Sequence, residues 1–169
     1  IQRSRGLGDV YKRQMLVDAC AAHLVRKPDQ FDVIVTTNMF GDILSDLATE
    51  LSGSLGLAGS LNAGKNHAMA QAQHGAAPDI ADKNIANPIS LILSSAMLLD
   101  WLGKNREIDK LILASNLIND SVLELLKERE NFTRDLGGNA STGKITENLI
   151  KILNKICLLY TSPSPRDLW

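Results

Sequence analysis

The chain has 169 residues, 44% of them hydrophobic and 22% charged, with a formal net charge of −1. That balance fits a globular domain folded in water and excludes a strongly basic nucleic-acid-binding surface. The most apolar run, Pro88 to Leu102, is broken by Ser90, Ser94, Ser95 and Asp100 and falls short of the ~20 residues that span a bilayer, so no membrane segment is expected.

The two ends are related to each other. Cys157 to Asp167 can be encoded by DNA whose reverse complement, shifted one base, encodes Ser4 to Arg13. Ends of a natural gene have no reason to be opposite strands of one segment, so residues 1–14 and 157–169 are expected to be translated sequencing adapter. The natural segment is then about Met15 to Ile156, enough for a domain with a core. Within it Cys20 is the only cysteine, which rules out an internal disulfide and makes a reducing, cytoplasmic compartment the expectation.

In chain order, a helix is predicted from about Val17 to Arg26, with Val17, Ala21, Leu24 and Val25 apolar, and Lys27-Pro28 ends it. Phe31 to Thr37 carries Val33-Ile34-Val35, a β-branched run suited to a strand covered on both faces in a parallel sheet. A helix from about Gly41 to Leu51 follows, with Ile43, Leu44, Leu47 and Leu51 at helical spacing. Gly53 to Gly64 reads as turn and loop, and His67 to Gln73 as a short strand. Pro88 opens a helix to Leu102 with Asn87 as its cap and Gly103 as its stop. A long helix from about Arg106 to Arg129 gathers Ile108, Leu111, Ile112, Ile118, Val122 and Leu125 on one face. A last helix, about Thr142 to Ile156, does the same with Ile145, Leu149, Ile152 and Leu153.

Two stretches carry candidate chemistry. Asp42 and Asp46 stand i and i+4, so both carboxylates leave one helix face about 6 Å apart at Cβ, near enough to share a cation. Two such oxygens suit Mg2+ or Mn2+, which keep other coordination positions for water and substrate. On local sequence alone the alternative also stands: an Asp at a helix start complements the macrodipole, and one a turn later is solvated. Asp18, in the first turn of the earlier helix, has the same two readings.

The second stretch is the loop His74-Gly75-Ala76-Ala77-Pro78-Asp79-Ile80-Ala81, with Asn87-Pro88 just after. Its small residues allow a ligand close to the backbone. Asp79 could accept hydrogen bonds from both hydroxyls of an adenosine ribose while repelling a 2′-phosphate, favouring NAD over NADP. Alternatively it caps a short helical turn. No G-x-G-x-x-G fingerprint supports an ordinary Rossmann site.

In this order and spacing these stretches resemble the isocitrate and isopropylmalate dehydrogenase family, the β-decarboxylating dehydrogenases. The resemblance runs from Val17 to about Leu153 and corresponds to somewhat under half a subunit, its C-terminal part. It includes Asp18 with Leu24-Val25-Arg26, Phe31 to Thr36, Gly53-Ser54-Leu55-Gly56-Leu57, Ile92-Leu93-Ser94 with Ala96-Met97, and Asp135-Leu136-Gly137-Gly138.

What the resemblance implies is an α/β, isopropylmalate-dehydrogenase-like fold, present in part and based on a parallel sheet with flanking helices. Residues 15–52 would belong to the smaller, dimer-forming domain and 53–156 to the larger, cofactor-binding one. Asp42 and Asp46 would ligate the divalent metal, and Asp18 would reach the partner subunit's metal, and through it the substrate, across a homodimer interface. His74, Gly75, Ala76, Ala77, Pro78, Asp79, Ile80 and Asn87 would hold the adenosine half of NAD, with Asp79 on the ribose and His74 and Asn87 near the adenine. The substrate would be a small 2-hydroxy acid with a neighbouring carboxylate.

The sequence departs from the family pattern at Gln71, where a glutamate is common, and at Asp82, where a glycine usually follows Asp-Ile-Ala. The family's catalytic tyrosine and lysine and its substrate-binding arginines lie upstream and have no counterpart here. The fragment is therefore expected to be inactive by itself and poorly soluble. Two rival readings are a non-catalytic regulatory subunit of the same fold and a metal-dependent enzyme acting on phosphorylated substrates.

Overall fold

The computed structural model describes residues 13–161, with side chains to Cys157, and it divides into two compact units at Ser52/Gly53. Most of the two end segments set aside above, 1–12 and 162–169, lies outside the described residues.

The first unit is a helix pair. Helix α1, Val17–Arg26, ends at Lys27, whose N–H donates to His23 O at 2.7 Å, and a 3₁₀ turn Pro28–Gln30 follows. Helix α2 spans Asn38–Ser52. Cys20, Leu24 and Leu44 form the buried centre, with Val17, Ala21, Phe31 and Leu47 packed around it. One face of each amphipathic helix is thus buried against the other, while Val25 of α1 and Met39, Ile43 and Leu51 of α2 stay exposed.

The strand expected over Phe31–Thr37 does not form. The segment is irregular, with Val33 81% and Val35 92% exposed. A parallel strand exists only when neighbours supply its hydrogen bonds, and no strand lies beside it among the described residues.

The second unit layers a hairpin on helices. Strands β1, Gly59–Ala63, and β2, Ala68–Ala72, pair antiparallel with Leu61 opposite Ala70. This corrects two expectations: Gly53–Gly64 is not all loop, since a 3₁₀ turn Leu55–Leu57 leads into β1, and the sheet among the described residues is antiparallel rather than parallel. Its anchor is helix α3, Ile89–Arg106. Buried Ser90 donates to Ala58 O at 2.5 Å and accepts from Gln73 N at 3.1 Å; buried Ser94, one turn on, accepts from Ser60 N at 3.0 Å and lies 2.7 Å from Gln71 O. Two serines that looked like interruptions of an apolar run are the staples that tie both strands to the helix. Gly59 lets β1 come this close, because a Cβ there would sit 3.2 Å from the α3 backbone at Leu93 and Ser94.

Helix α3 does not stop at Gly103. It continues to Arg106, and Glu107 takes the left-handed cap (φ 55°). Gly103 serves packing instead: a Cβ would lie 2.6 Å from Ile112 Cγ1 of helix α4, Asp109–Leu125, itself shorter than the predicted 106–129. Helix α5 runs from Thr142 to Thr161, past the expected end at Ile156. Ile89, Val122, Leu125, Ala140, Ile145 and Leu149 form the buried core of this unit, each large side chain contributing about 1.5–3 kcal/mol.

Candidate functional site

Asp42 and Asp46 lie on the exposed face of α2, with Leu44 between them pointing into the helix pair. Along the middle of the helix the Ser45 hydroxyl donates to Asp42 O at 3.1 Å, and Thr49 donates to Ser45 O at 2.7 Å. Two hard anionic oxygen donors one turn apart fit a divalent cation of the Mg2+ or Mn2+ type. Asp18 is exposed on α1, and its Oδ1 accepts from Ala19 N at 2.7 Å, a first-turn contact. Among the described residues no group of three or more His, Cys, Asp or Glu converges, so Asp18 does not join Asp42 and Asp46 within the chain. Two carboxylates on one face are what this segment supplies by itself.

The loop from His74 to Asn87, in the second unit, is built from unusual backbone. Ala77 (φ 42°), Asp82 (φ 59°) and Asn84 (φ 54°) are all left-handed, a region costing alanine about 1–2 kcal/mol and better tolerated by Asp and Asn. Such strain clusters where a backbone is held for a ligand. Ala77 turns the chain into the 3₁₀ turn Pro78–Ile80, closed by Ile80 N donating to Ala77 O at 3.1 Å. The capping alternative for Asp79 fails, because the cap position is Ala77 and no side chain caps the turn. Asp79 is exposed, as are His74, Gly75, Ala76 and Pro78, while Ile80 is half-buried. A Cβ on Gly75 would meet nothing within 4 Å, so that side of the loop is open. Beside it, His74 Nδ1 lies 3.0 Å from Gly75 O.

The end of the loop is fastened. Thr142 N donates to Asn84 O at 3.0 Å, Gly143 N to Asn84 Oδ1 at 3.1 Å, and Thr142 Oγ1 to Ala86 O at 2.6 Å, so the first residues of α5 hold residues 84–86. Asn87 Oδ1 accepts from Ile89 N at 3.0 Å, opening α3 as expected, and its Nδ2 donates to Asp135 Oδ2 at 2.9 Å. That same oxygen accepts from buried Ser54 Oγ at 2.5 Å, and Ser54 Oγ accepts from Gly56 N at 2.9 Å.

Burial pushes the Asp135 carboxyl up, but the bonds from Asn87 and Ser54, the nearby Thr133 hydroxyl and its own backbone N–H more than offset this, leaving it below its ordinary value. Thr133 Oγ1 is buried without a partner of hydrogen-bonding geometry, so it acts as a nearby dipole while Asn87 and Ser54 make the bonds. Asp135, Ser54, Asn84 and Thr142 were not singled out as site residues. Ser54 and Asp135 lay inside motifs of the resemblance, but their meeting across 81 residues has no local signal.

The family model for isocitrate/isopropylmalate dehydrogenases matches residues 2–151. The isocitrate/homoisocitrate dehydrogenase of Thermus thermophilus is 46% identical over 144 residues, covering 85% of this chain and 41% of that protein. The 3-isopropylmalate dehydrogenase of Saccharolobus solfataricus is 44% identical over 146 residues, covering 86% and 44%. Among solved structures, isocitrate dehydrogenase from Methylococcus capsulatus superposes with a TM-score of 0.73 at 42% identity, over 81% of this chain and 39% of that one. A β-decarboxylating dehydrogenase from Thermococcus kodakarensis gives 0.73 at 39% identity, over 90% and 43%. The chain thus spans about two-fifths of the length of the curated relatives it matches.

Proposed function

This chain belongs to the isocitrate/isopropylmalate dehydrogenase family, and from that membership we propose that it is part of an NAD- and Mg2+-dependent enzyme that oxidises and decarboxylates a 2-hydroxy acid. The observation that carries the proposal is the pairing, in one sequence, of two exposed carboxylates one turn apart on α2 with a left-handed loop that presents an unengaged Asp79. Relatives named for isocitrate, homoisocitrate and 3-isopropylmalate bound the substrate class.

In this reading Asp42 and Asp46 hold the metal, with Asp18 of a second copy completing its ligands in a homodimer. The metal supplies Lewis-acid stabilisation of the oxygen that carries the developing negative charge. Asp79 binds the adenosine ribose and rejects a 2′-phosphate by charge repulsion, and the open side at Gly75 admits the nucleotide. Proton transfer belongs to the tyrosine and lysine expected upstream, so the segment alone is inactive.

The test is expression of the full reading frame that contains this segment, assayed with NAD and NADP against isocitrate, homoisocitrate, 3-isopropylmalate and tartrate. Metal-dependent reduction of NAD with release of CO2 is expected for one of them. Asp42→Asn should raise the Mg2+ requirement by at least about tenfold, since even loss of a group that only supports a ligand costs about 10–100-fold. Nucleotide binding without turnover on any of the four would favour a regulatory subunit. Titration of the segment alone with NAD and Mg2+ should show no sub-millimolar binding.

A further inference from the structure

We propose that Asp135 is a positioning residue for the nucleotide loop: acting through Asn87, it fixes the end of residues 74–87 and thereby sets the affinity for the dinucleotide. This rests on the reading of that loop as the NAD site.

The loop has two regimes. Residues 74–82 are held by turn bonds within themselves, such as Ile80 N to Ala77 O and Ala81 N to Pro78 O. Residues 84–87 are held by groups distant in sequence. Asn84 and Ala86 are tied to the start of α5, and Asn87 is tied to Asp135. Asn87 cannot rotate without losing two bonds at once, because its oxygen holds Ile89 N while its nitrogen holds Asp135.

Asp135 is in turn fixed by Ser54, whose position is set by the 3₁₀ turn it caps. The crossing leaves no space for a side chain at Gly56: a Cβ there would lie 2.6 Å from Asp135 Oδ2 and 2.7 Å from Asn87 Nδ2. The strained part of the loop therefore leaves from an anchor with no slack, in which one Asp135 oxygen uses both its lone pairs to accept from Ser54 and Asn87. Pre-setting a loop lowers the ordering cost paid on binding, so the effect of losing the anchor should fall on nucleotide binding rather than on chemistry.

The experiment is steady-state kinetics of Asp135→Ala in the full-length enzyme, with Val122→Ala, a core change on α4, as the stability control. Asp135→Ala, which removes the oxygen both donors share, should raise KM for NAD by about five- to tenfold, the loss of roughly one hydrogen bond's worth of order. Its kcat, and its KM for the hydroxy acid, should stay within about twofold of wild type. Val122→Ala should lower the melting temperature and leave the KM for NAD unmoved. If Asp135→Ala does not fold, Ser54→Ala, which removes one of the two donors holding the carboxylate, should give the same split at about twofold or more.

An unchanged KM for NAD, or a fall in kcat alone, overturns the positioning role while leaving the NAD assignment intact. A wild-type enzyme with no saturable use of NAD overturns both.

Discussion

Asn87 donates to Asp135 at 2.9 Å across 48 residues of sequence, joining the end of the candidate nucleotide loop to the turn Arg134–Leu136. Around this one bond the second unit gathers Ser54, Gly56, Ile89 and the start of α3. The contact is polar and partly open to solvent, so it contributes direction more than free energy.

Gly56→Ala tests how tight that crossing is. The new methyl would meet Asp135 Oδ2 at 2.6 Å and the Asn87 side chain at 2.7 and 2.9 Å, so two held side chains must shift. A loss of about 1–3 kcal/mol in urea unfolding is expected. An unchanged midpoint would mean that Asp135 and Asn87 relax freely.

The acid limb of stability should report Asp135. Its folded-state carboxyl is lowered from the ordinary 3.8. A depressed carboxyl contributes stability that is present above the unfolded value and is lost as the pH falls through the folded one. The stability gap between wild type and Asp135→Asn should therefore be constant above about pH 5 and shrink below 3.8. Chemical denaturation at a series of pH values measures it, and a gap that grows on acidification would contradict the assignment.

Ser94→Ala removes the group facing Ser60 N and Gln71 O, leaving two strand groups without that partner on the helix side. The expected cost is about 1–3 kcal/mol, the usual penalty for stranding buried polar groups. Amide exchange at Ser60 should quicken in the same variant, which a generic loss of packing elsewhere in the unit would not single out.

Asp82→Gly should stabilise the loop. Asp82 holds φ 59°, a conformation glycine adopts without steric cost and aspartate at some cost, though less than most side chains. A gain of about 0.5–1 kcal/mol is expected, partly offset by the greater freedom of glycine in the unfolded chain. A lower melting temperature for this variant would show that the Asp82 side chain makes a compensating contact.

The sequence legibly carried whatever depends on neighbours within a few residues. Helix α1 matches its predicted bounds, Val17–Arg26, and α2 and β2 fall within a few residues of theirs, because helical periodicity and local strand preference are written in adjacent positions. Asp42 and Asp46 share a face for the same reason. Phe31–Thr37 stays irregular despite its β-branched residues because they describe a preference that only neighbouring strands can satisfy. Strand β1 went unseen for the converse reason: Gly59-Ser60-Leu61-Asn62-Ala63 has little strand propensity and is held extended by β2 and two serines of α3.

By itself, then, the sequence determined the helices, the paired carboxylates and, through resemblance, the family to which they point. Only the tertiary structure decided that Asn84 is fastened to the start of α5 and that Asn87 is held by Asp135. It also decided that Gly103 packs a helix rather than ending one. Each of these is set by groups far apart in the chain, and the free energy of such a contact exists only once folding has brought its two halves within reach.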